Sequence, residues 1–301
     1  MTSRPPAPTV HASLEKAEAL LSQRGVPEAA ANVEFIMAEV LGCGRLETRA
    51  SGIRRLTWKQ DNHFWQLVKR RGARIPLAYV LGSQPFLDLD IKVSPSVLIP
   101  RPETERLVEC AAAVARERFP AGAPLHIVDV GTGTGCIAIA LARRLAEAVL
   151  YATEISAPAM RLAEENVRRH SVEGRIRLLR EDFFKPKAAA APWADIVVSN
   201  PPYIPSDEIA RLDPEVQKEP ALARDGGEDG LDAIRAIVAD APRILKPGGW
   251  LLLEFGDGQA ERVRETLEGA GFTGVEIHRD LNGRERIAAG SLRATAPKHI
   301  S

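Results

Sequence analysis

Apolar positions along the chain change period three times. Between residues 13 and 72 they recur at helical spacing. Leu14, Ala17, Leu20 and Leu21 share one face, with Ser13 as the candidate N-cap and Gly25 as the stop. Val33, Ile36, Met37, Val40 and Leu41 follow i, i+3, i+4, i+7, i+8. Pro27 suits the first turn of that helix and Gly42 closes it. Thr57 and Gln60 form a candidate capping box for a third helix, whose face is Phe64, Leu67 and Val68 and whose end is Gly72. Residues 76–104 then carry prolines at 76, 85, 95, 100 and 102, which predicts a helix-free connector holding a short hairpin over 86–89 and 91–93.

From about residue 105 the periods of strand and helix alternate. Apolar runs at 125–130, 149–153, 176–179, 196–198 and 250–255 read as buried strands, with two late strands at 272–278 and 286–289. Helical patterns cover 136–145, 156–170 and 231–245, and Lys246-Pro247-Gly248-Gly249 reads as a turn. Strands separated by helices of this length imply parallel βαβ units. The expectation is an α/β protein with a mostly parallel seven-stranded sheet behind an N-terminal helical bundle. Its parts are a disordered 1–10, a helical domain at 11–75, a connector at 76–104, an α/β domain at 105–291 and a flexible tail at 292–301. Ala188 to Ala191 is a short low-complexity loop.

Bulk properties narrow the class. Lys+Arg and Asp+Glu are both 40, so the net charge is zero, and the basic excess of a non-specific nucleic-acid binder is missing. Direct nucleic-acid contact is therefore not expected. No apolar run reaches the ~20 residues a membrane span needs, and 1–10 lacks the apolar stretch of a signal peptide. Cys43, Cys110 and Cys136 are odd in number and have no metal-like spacing. Free thiols in a reducing cytoplasm and no metal are the expectation.

Four stretches carry candidate chemistry. Asp129-Val130-Gly131-Thr132-Gly133-Thr134-Gly135 lies between a strand and a helix, where glycines let backbone approach a ligand. A dinucleotide fingerprint would place glycine at 136, where this chain has Cys136. Glu154 ends the second strand, where a carboxylate can accept from both ribose hydroxyls of a nucleoside. Asp182 and Phe183 follow the third strand and could meet an adenine amino group and its ring; a strand-end acid and a core Phe is the plainer alternative. Asn200-Pro201-Pro202-Tyr203 follows the fourth strand, at the sheet edge where ligands bind in open α/β sheets. An amide nitrogen is a poor nucleophile because its lone pair is delocalised. The Asn200 side-chain oxygen and the Pro201 carbonyl could each take one N–H, directing the lone pair and stabilising developing positive charge. Tyr203 could pack on the planar group.

These residues resemble a known family. Asp129 to Gly135 is similar to motif I of class I S-adenosylmethionine-dependent methyltransferases, whose domain is Rossmann-like. Asn200 to Tyr203 is similar to the motif of those that methylate planar nitrogens, adenine N6 and glutamine N5. Pro76 to Gly82, Val93 to Glu103 (VSPSVLIPRPE), Glu219 to Leu222 with Gly226-Gly227 and Asp229-Gly230-Leu231, and Asp280-Leu281 with Gly283-Arg284 resemble the release factor glutamine methyltransferases, the HemK/PrmC family.

The resemblance implies methyl transfer from S-adenosylmethionine to the N5 amide of the glutamine in the Gly-Gly-Gln loop of class I peptide chain release factors, leaving S-adenosylhomocysteine. It implies cofactor contacts from Gly131, Thr132, Gly133, Thr134, Gly135, Glu154, Asp182, Phe183 and Asn200. Substrate contacts come from Asn200, Pro201, Pro202 and Tyr203, with Asn200, Pro201 and Tyr203 catalytic. The family also places the helical and catalytic domains on either side of the release factor. A monomer is expected. The alternatives are a glutamine methyltransferase of a ribosomal protein, an adenine-N6 nucleic-acid methyltransferase, a nucleotide-binding oxidoreductase and a non-catalytic binding module.

Overall fold

The computed structural model describes residues 7–181 and 192–293. The chain forms two compact units, one of residues 1–83 with 213–218 and one of 84–212 with 219–301.

The first unit is helical. It holds α1 (Val10–Gln23), α2 (Ala29–Leu41), α3 (Arg45–Ala50), α4 (Trp58–Gly72) and α5 (Leu77–Leu81). Its core joins Val10, Leu21, Val33, Ile36, Met37, Phe64, Val68 and Val80. Three expectations need correction here. Residues 7–10 are ordered, and Val10 is buried as the first residue of α1. The cap of α1 is Thr9, whose Oγ1 accepts from the Ala12 N–H at 3.2 Å, while Ser13 is buried inside the helix. Pro76 starts α5 rather than breaking it, because a proline at a helix start gives up no needed hydrogen bond. The Thr57–Gln60 capping box of α4 forms as expected. Within this unit Glu215 accepts from Arg71 Nη1 at 2.7 Å and from Arg74 Nε and Nη2 at 2.6 Å each. These bonds hold its carboxyl down at about 2 against the opposing effect of burial.

The second unit opens with a hairpin, β1 (Ser83–Phe86) and β2 (Leu89–Lys92). Its strands lie earlier than expected, because Leu87 takes a positive φ of 53° and turns the chain at 87–88. Then comes α6 (Pro102–Arg118), a helix absent from the sequence expectation, with Pro102 in its first turn. The alternating part follows: β3 (Leu125–Val130), α7 (Cys136–Arg144), β4 (Ala148–Thr153), α8 (Ala157–Arg169), β5 (Ile176–Leu179), β6 (Ala194–Ser199), α9 (Asp232–Asp240), β7 (Leu245–Glu254), α10 (Ala260–Gly269), β8 (Phe272–Arg279) and β9 (Glu285–Leu292). The expected helix over 231–245 stops at Asp240, since Pro242 cannot donate, and a single 3₁₀ turn follows. The expected turn at 246–249 lies inside β7, at an irregularity in its pairing with β6.

The seven strands run in the order β5-β4-β3-β6-β7-β9-β8. β9 pairs antiparallel with both β7 and β8, and the other pairs are parallel. The sheet is therefore mostly parallel, as expected. β3, β4 and β6 are buried along most of their length, as strands covered on both faces should be. The strand order reverses between β3 and β6, and ligands bind in such a crevice beyond the strand C-termini.

Candidate active site

A cavity of about 260 Å³ opens at that crevice, within the second unit. The loop after β3 forms its floor, with Gly131, Thr132, Gly133 and Thr134 in the lining. Gly131 and Gly133 take positive φ of 69° and 55°, which other residues adopt only under strain. A Cβ on Gly131 would meet nothing within 4 Å, so its missing side chain leaves space. The loop is held from below. Thr132 Oγ1 donates to Asp129 Oδ2 at 2.5 Å, and Thr132 N–H donates to the Thr153 carbonyl at 2.9 Å. Burial pushes the Asp129 carboxyl up to about 7, against the Thr132 hydrogen bond. Asn166 Nδ2 donates at 2.9 Å to both the Thr134 and Lys92 carbonyls, tying this loop to β2.

Glu154 lines the same cavity. Its Oε2 accepts from the Gly133 N–H at 3.0 Å and its Oε1 from the Ser156 N–H at 2.8 Å. Two backbone donors thus orient the carboxylate, and each oxygen keeps a second lone pair for a ligand hydroxyl. Beside it Ile155 is exposed, an apolar face suited to a flat ring. Cys136, the departure from the dinucleotide spacing, begins α7; burial pushes its thiol up to about 12, so it is no nucleophile.

On the other side of the cavity stand Asn200, Pro201 and Pro202. Asn200 Nδ2 donates to Thr104 Oγ1 at 3.0 Å, and Asn200 Oδ1 is buried with no hydrogen-bond partner. A buried acceptor left open next to a cavity is a place for a ligand N–H. Tyr203 is not in the lining. Its ring packs against the core that includes Leu253 and Phe255, and its hydroxyl donates to Glu254 Oε1 at 3.2 Å. Its carbonyl accepts from Gln259 Nε2 at 2.9 Å.

Asp182 and Phe183 lie outside the described residues, as does the loop at 188–191. Of the other expected residues, Gly131 to Thr134, Glu154 and Asn200 to Pro202 come together around one cavity, while Gly135 and Tyr203 do not line it. Sequence reasoning missed several others. Ser96, Val97 and Leu98 from the connector, and Leu222 and Ala223 after Glu219-Pro220, are also in the lining. Thr104, which also lines the cavity, bonds Asn200 and Glu254; the only signal for Thr104 and Glu254 was their place beside a motif, in Pro102-Glu103-Thr104 and at the end of a strand. Glu219 is buried and ion-paired with Arg101 Nη2 at 2.7 Å, burial pushing its carboxyl up. Among the described residues no group of His, Cys, Asp and Glu could hold a metal, and no helix is long and apolar enough to cross a membrane.

Comparisons with known proteins agree with this geometry. Residues 12–82 match the family model described as the PrmC N-terminal domain, and residues 106–212 the one described as the methyltransferase small domain. A release factor glutamine methyltransferase of Geobacter sulfurreducens is 40% identical over 97% of this chain and 100% of its own length. The one from Gloeobacter violaceus is 43% identical over 86% of this chain and 89% of its own. Among solved structures, the human hMettl16 catalytic domain in complex with an RNA hairpin superposes with a TM-score of 0.53 at 18% identity, covering 69% of this chain and 77% of that one, which speaks for the fold alone. With relatives this similar along nearly the whole length, and a glycine loop, a strand-end carboxylate and an open amide acceptor around one cavity, the chain belongs to the release factor glutamine methyltransferase family.

Proposed function

We propose that this protein methylates the N5 amide of the glutamine in the Gly-Gly-Gln loop of class I release factors, with S-adenosylmethionine as donor. The observation that carries the proposal is the buried, unpartnered Asn200 Oδ1 beside the cavity. Bound S-adenosylmethionine supplies an electrophilic methyl group on a sulfonium. The chain's residues supply the rest. Glu154 accepts from the ribose hydroxyls, and Gly131 to Gly135 pass beneath the cofactor without side chains in its way at the glycines. Ile155 would offer an exposed apolar face to its base. Asn200 Oδ1 and the Pro201 carbonyl accept the two N–H groups of the substrate amide, turning its lone pair toward the methyl and opposing the charge that develops. Pro202 bounds the substrate pocket, and Tyr203 holds the motif in place through its hydroxyl on Glu254.

The lining supports this assignment of the cofactor: it has a fixed carboxylate for a diol, backbone without side chains, and an exposed apolar residue for a ring. The helical unit is proposed to bind the release factor. The three free cysteines suit action in the cytoplasm.

The test is transfer of labelled methyl from the cofactor to purified release factor. Asn200→Ala should lower turnover by ~10²-fold or more, the cost of a positioned transition-state hydrogen-bond partner. Turnover of the variant near the wild-type rate would remove Asn200 from the mechanism.

A further inference from the structure

The amide clamp needs Asn200 to present its oxygen, not its NH₂, to the substrate. The two ends of an Asn side chain have nearly the same shape, so something must choose between them. Behind Asn200 the choice is made by a chain of hydrogen bonds. Thr104 Oγ1 lies 2.7 Å from Glu254 Oε2 and 3.0 Å from Asn200. Thr104 is 2% exposed and Glu254 0%, so the contact between them is shielded from bulk water. Above about pH 7, where burial still lets Glu254 ionise, its carboxylate can only accept, so the single hydroxyl hydrogen of Thr104 goes to Glu254. Thr104 then has only lone pairs to offer Asn200. The atom facing it must be the donor Nδ2, and Oδ1 must point the other way. The flipped amide would set two oxygens against each other with no proton between them.

We infer that Glu254, acting through Thr104, is a positioning residue that fixes which end of the Asn200 amide faces the substrate. The other oxygen of the same carboxylate accepts from Tyr203, so Glu254 holds both ends of the four-residue motif. Gln259 adds a third tie: its Oε1 accepts from the Gly256 N–H at 2.8 Å while its Nε2 donates to the Tyr203 carbonyl. The inference rests on the proposed role of Asn200 as the acceptor for the substrate amide.

Two measurements test it. The first compares Thr104→Val, which keeps the shape and loses the hydroxyl, with Thr104→Ser, which keeps the hydroxyl. Single-turnover transfer to release factor is measured at pH 8 and normalised to cofactor-competent enzyme counted by calorimetry. Thr104→Val should lose ~10²-fold in the transfer rate, as for a misplaced transition-state partner. Its half-saturating release factor concentration should stay within about twofold of the wild type, and Thr104→Ser should recover most of the rate. A structural role alone would reduce the competent fraction and spare the normalised rate. A normalised Thr104→Val rate within about twofold of the wild type, or an equal loss in Thr104→Ser, overturns the inference.

The second measurement needs no substrate. Hydrogen exchange of the Asn200 side-chain NH₂, assigned by its loss in Asn200→Asp, should quicken at least tenfold in Thr104→Val, because its acceptor has gone. An unchanged exchange rate overturns the relay whatever the transfer assay shows. Failure of the wild-type enzyme to transfer methyl, with exchange behaving as expected, would instead remove the proposed function and leave the relay in place.

Discussion

Replacing Glu254 by Gln should make the protein's stability less dependent on pH, and the structure says by how much. The carboxylate is wholly buried, and burial pushes it up to about 7 from an ordinary 4.5, against the pull of the Thr104 and Tyr203 hydroxyls. Glu103 pushes in the same direction as burial, and Arg286 opposes it. With the folded value above the unfolded one, the group's contribution is fully present below about 4.5 and is lost as pH rises through 7. Between pH 5 and 8 the folded protein must give up a proton that the unfolded chain has largely lost already. Linkage over that interval amounts to roughly 2–3 kcal/mol, with stability lower at pH 8. Asp129 shifts in the same direction but is present in both proteins, so it cancels in the comparison. Urea unfolding of ligand-free wild type and Glu254→Gln at pH 5, 6, 7 and 8, with equal m values, reads the difference. The wild type should lose roughly 2–3 kcal/mol more than the variant across that range. Identical slopes would mean that Glu254 does not ionise in this window, and the account of its burial would fall.

Other changes follow from the same contacts. Glu154→Ala should weaken S-adenosylmethionine binding by about tenfold or more in calorimetry, as losing two charge-assisted hydrogen bonds to the ligand would; unchanged affinity would remove the carboxylate from the cofactor site. Gly230→Ala would place a Cβ 2.4 Å from the Tyr203 carbonyl oxygen and 2.6 Å from Gln259 Nε2, at a φ of +76°. It should cost at least ~2 kcal/mol in urea unfolding, as strain and overpacking typically do. Glu215→Gln leaves the buried Arg71 without its ionic partner and should cost ~3 kcal/mol at pH 7. Because the Glu215 carboxyl is held down at about 2, its contribution is present above 4.5 and fades as pH falls toward 2, so wild type and variant should converge in acid.

Local chemistry was legible in the sequence and long-range chemistry was not. Gly131 to Gly135 declared its turn because glycines between a strand and a helix have few other uses. Asn200 declared itself because two prolines stop a buried strand at its C-terminal end. The sheet's parallel part followed from alternation of periods. Thr104 and Glu254 were invisible because their meaning lies in contacts 96 and 150 residues apart along the chain. Proline misled in the connector: Pro76 and Pro102 start helices that their neighbours continue, and the N–H each lacks is one a helix start never uses. Ser13 misled in the opposite sense, since Thr9 is an equally good cap four residues earlier and burial of Val10 favours the longer helix. The role of Tyr203 also changes. Its hydroxyl serves Glu254, so its effect on the reaction runs through the placement of the motif as well as through any contact of its ring.

The central claim is methylation of one amide nitrogen, and locating the methyl group tests it most directly. Release factor treated with the enzyme and S-adenosylmethionine is digested and sequenced by tandem mass spectrometry. The account predicts a single added methyl on the side chain of the glutamine in Gly-Gly-Gln, released as methylamine on acid hydrolysis. An unmodified glutamine, or a methyl on any other residue, would contradict it.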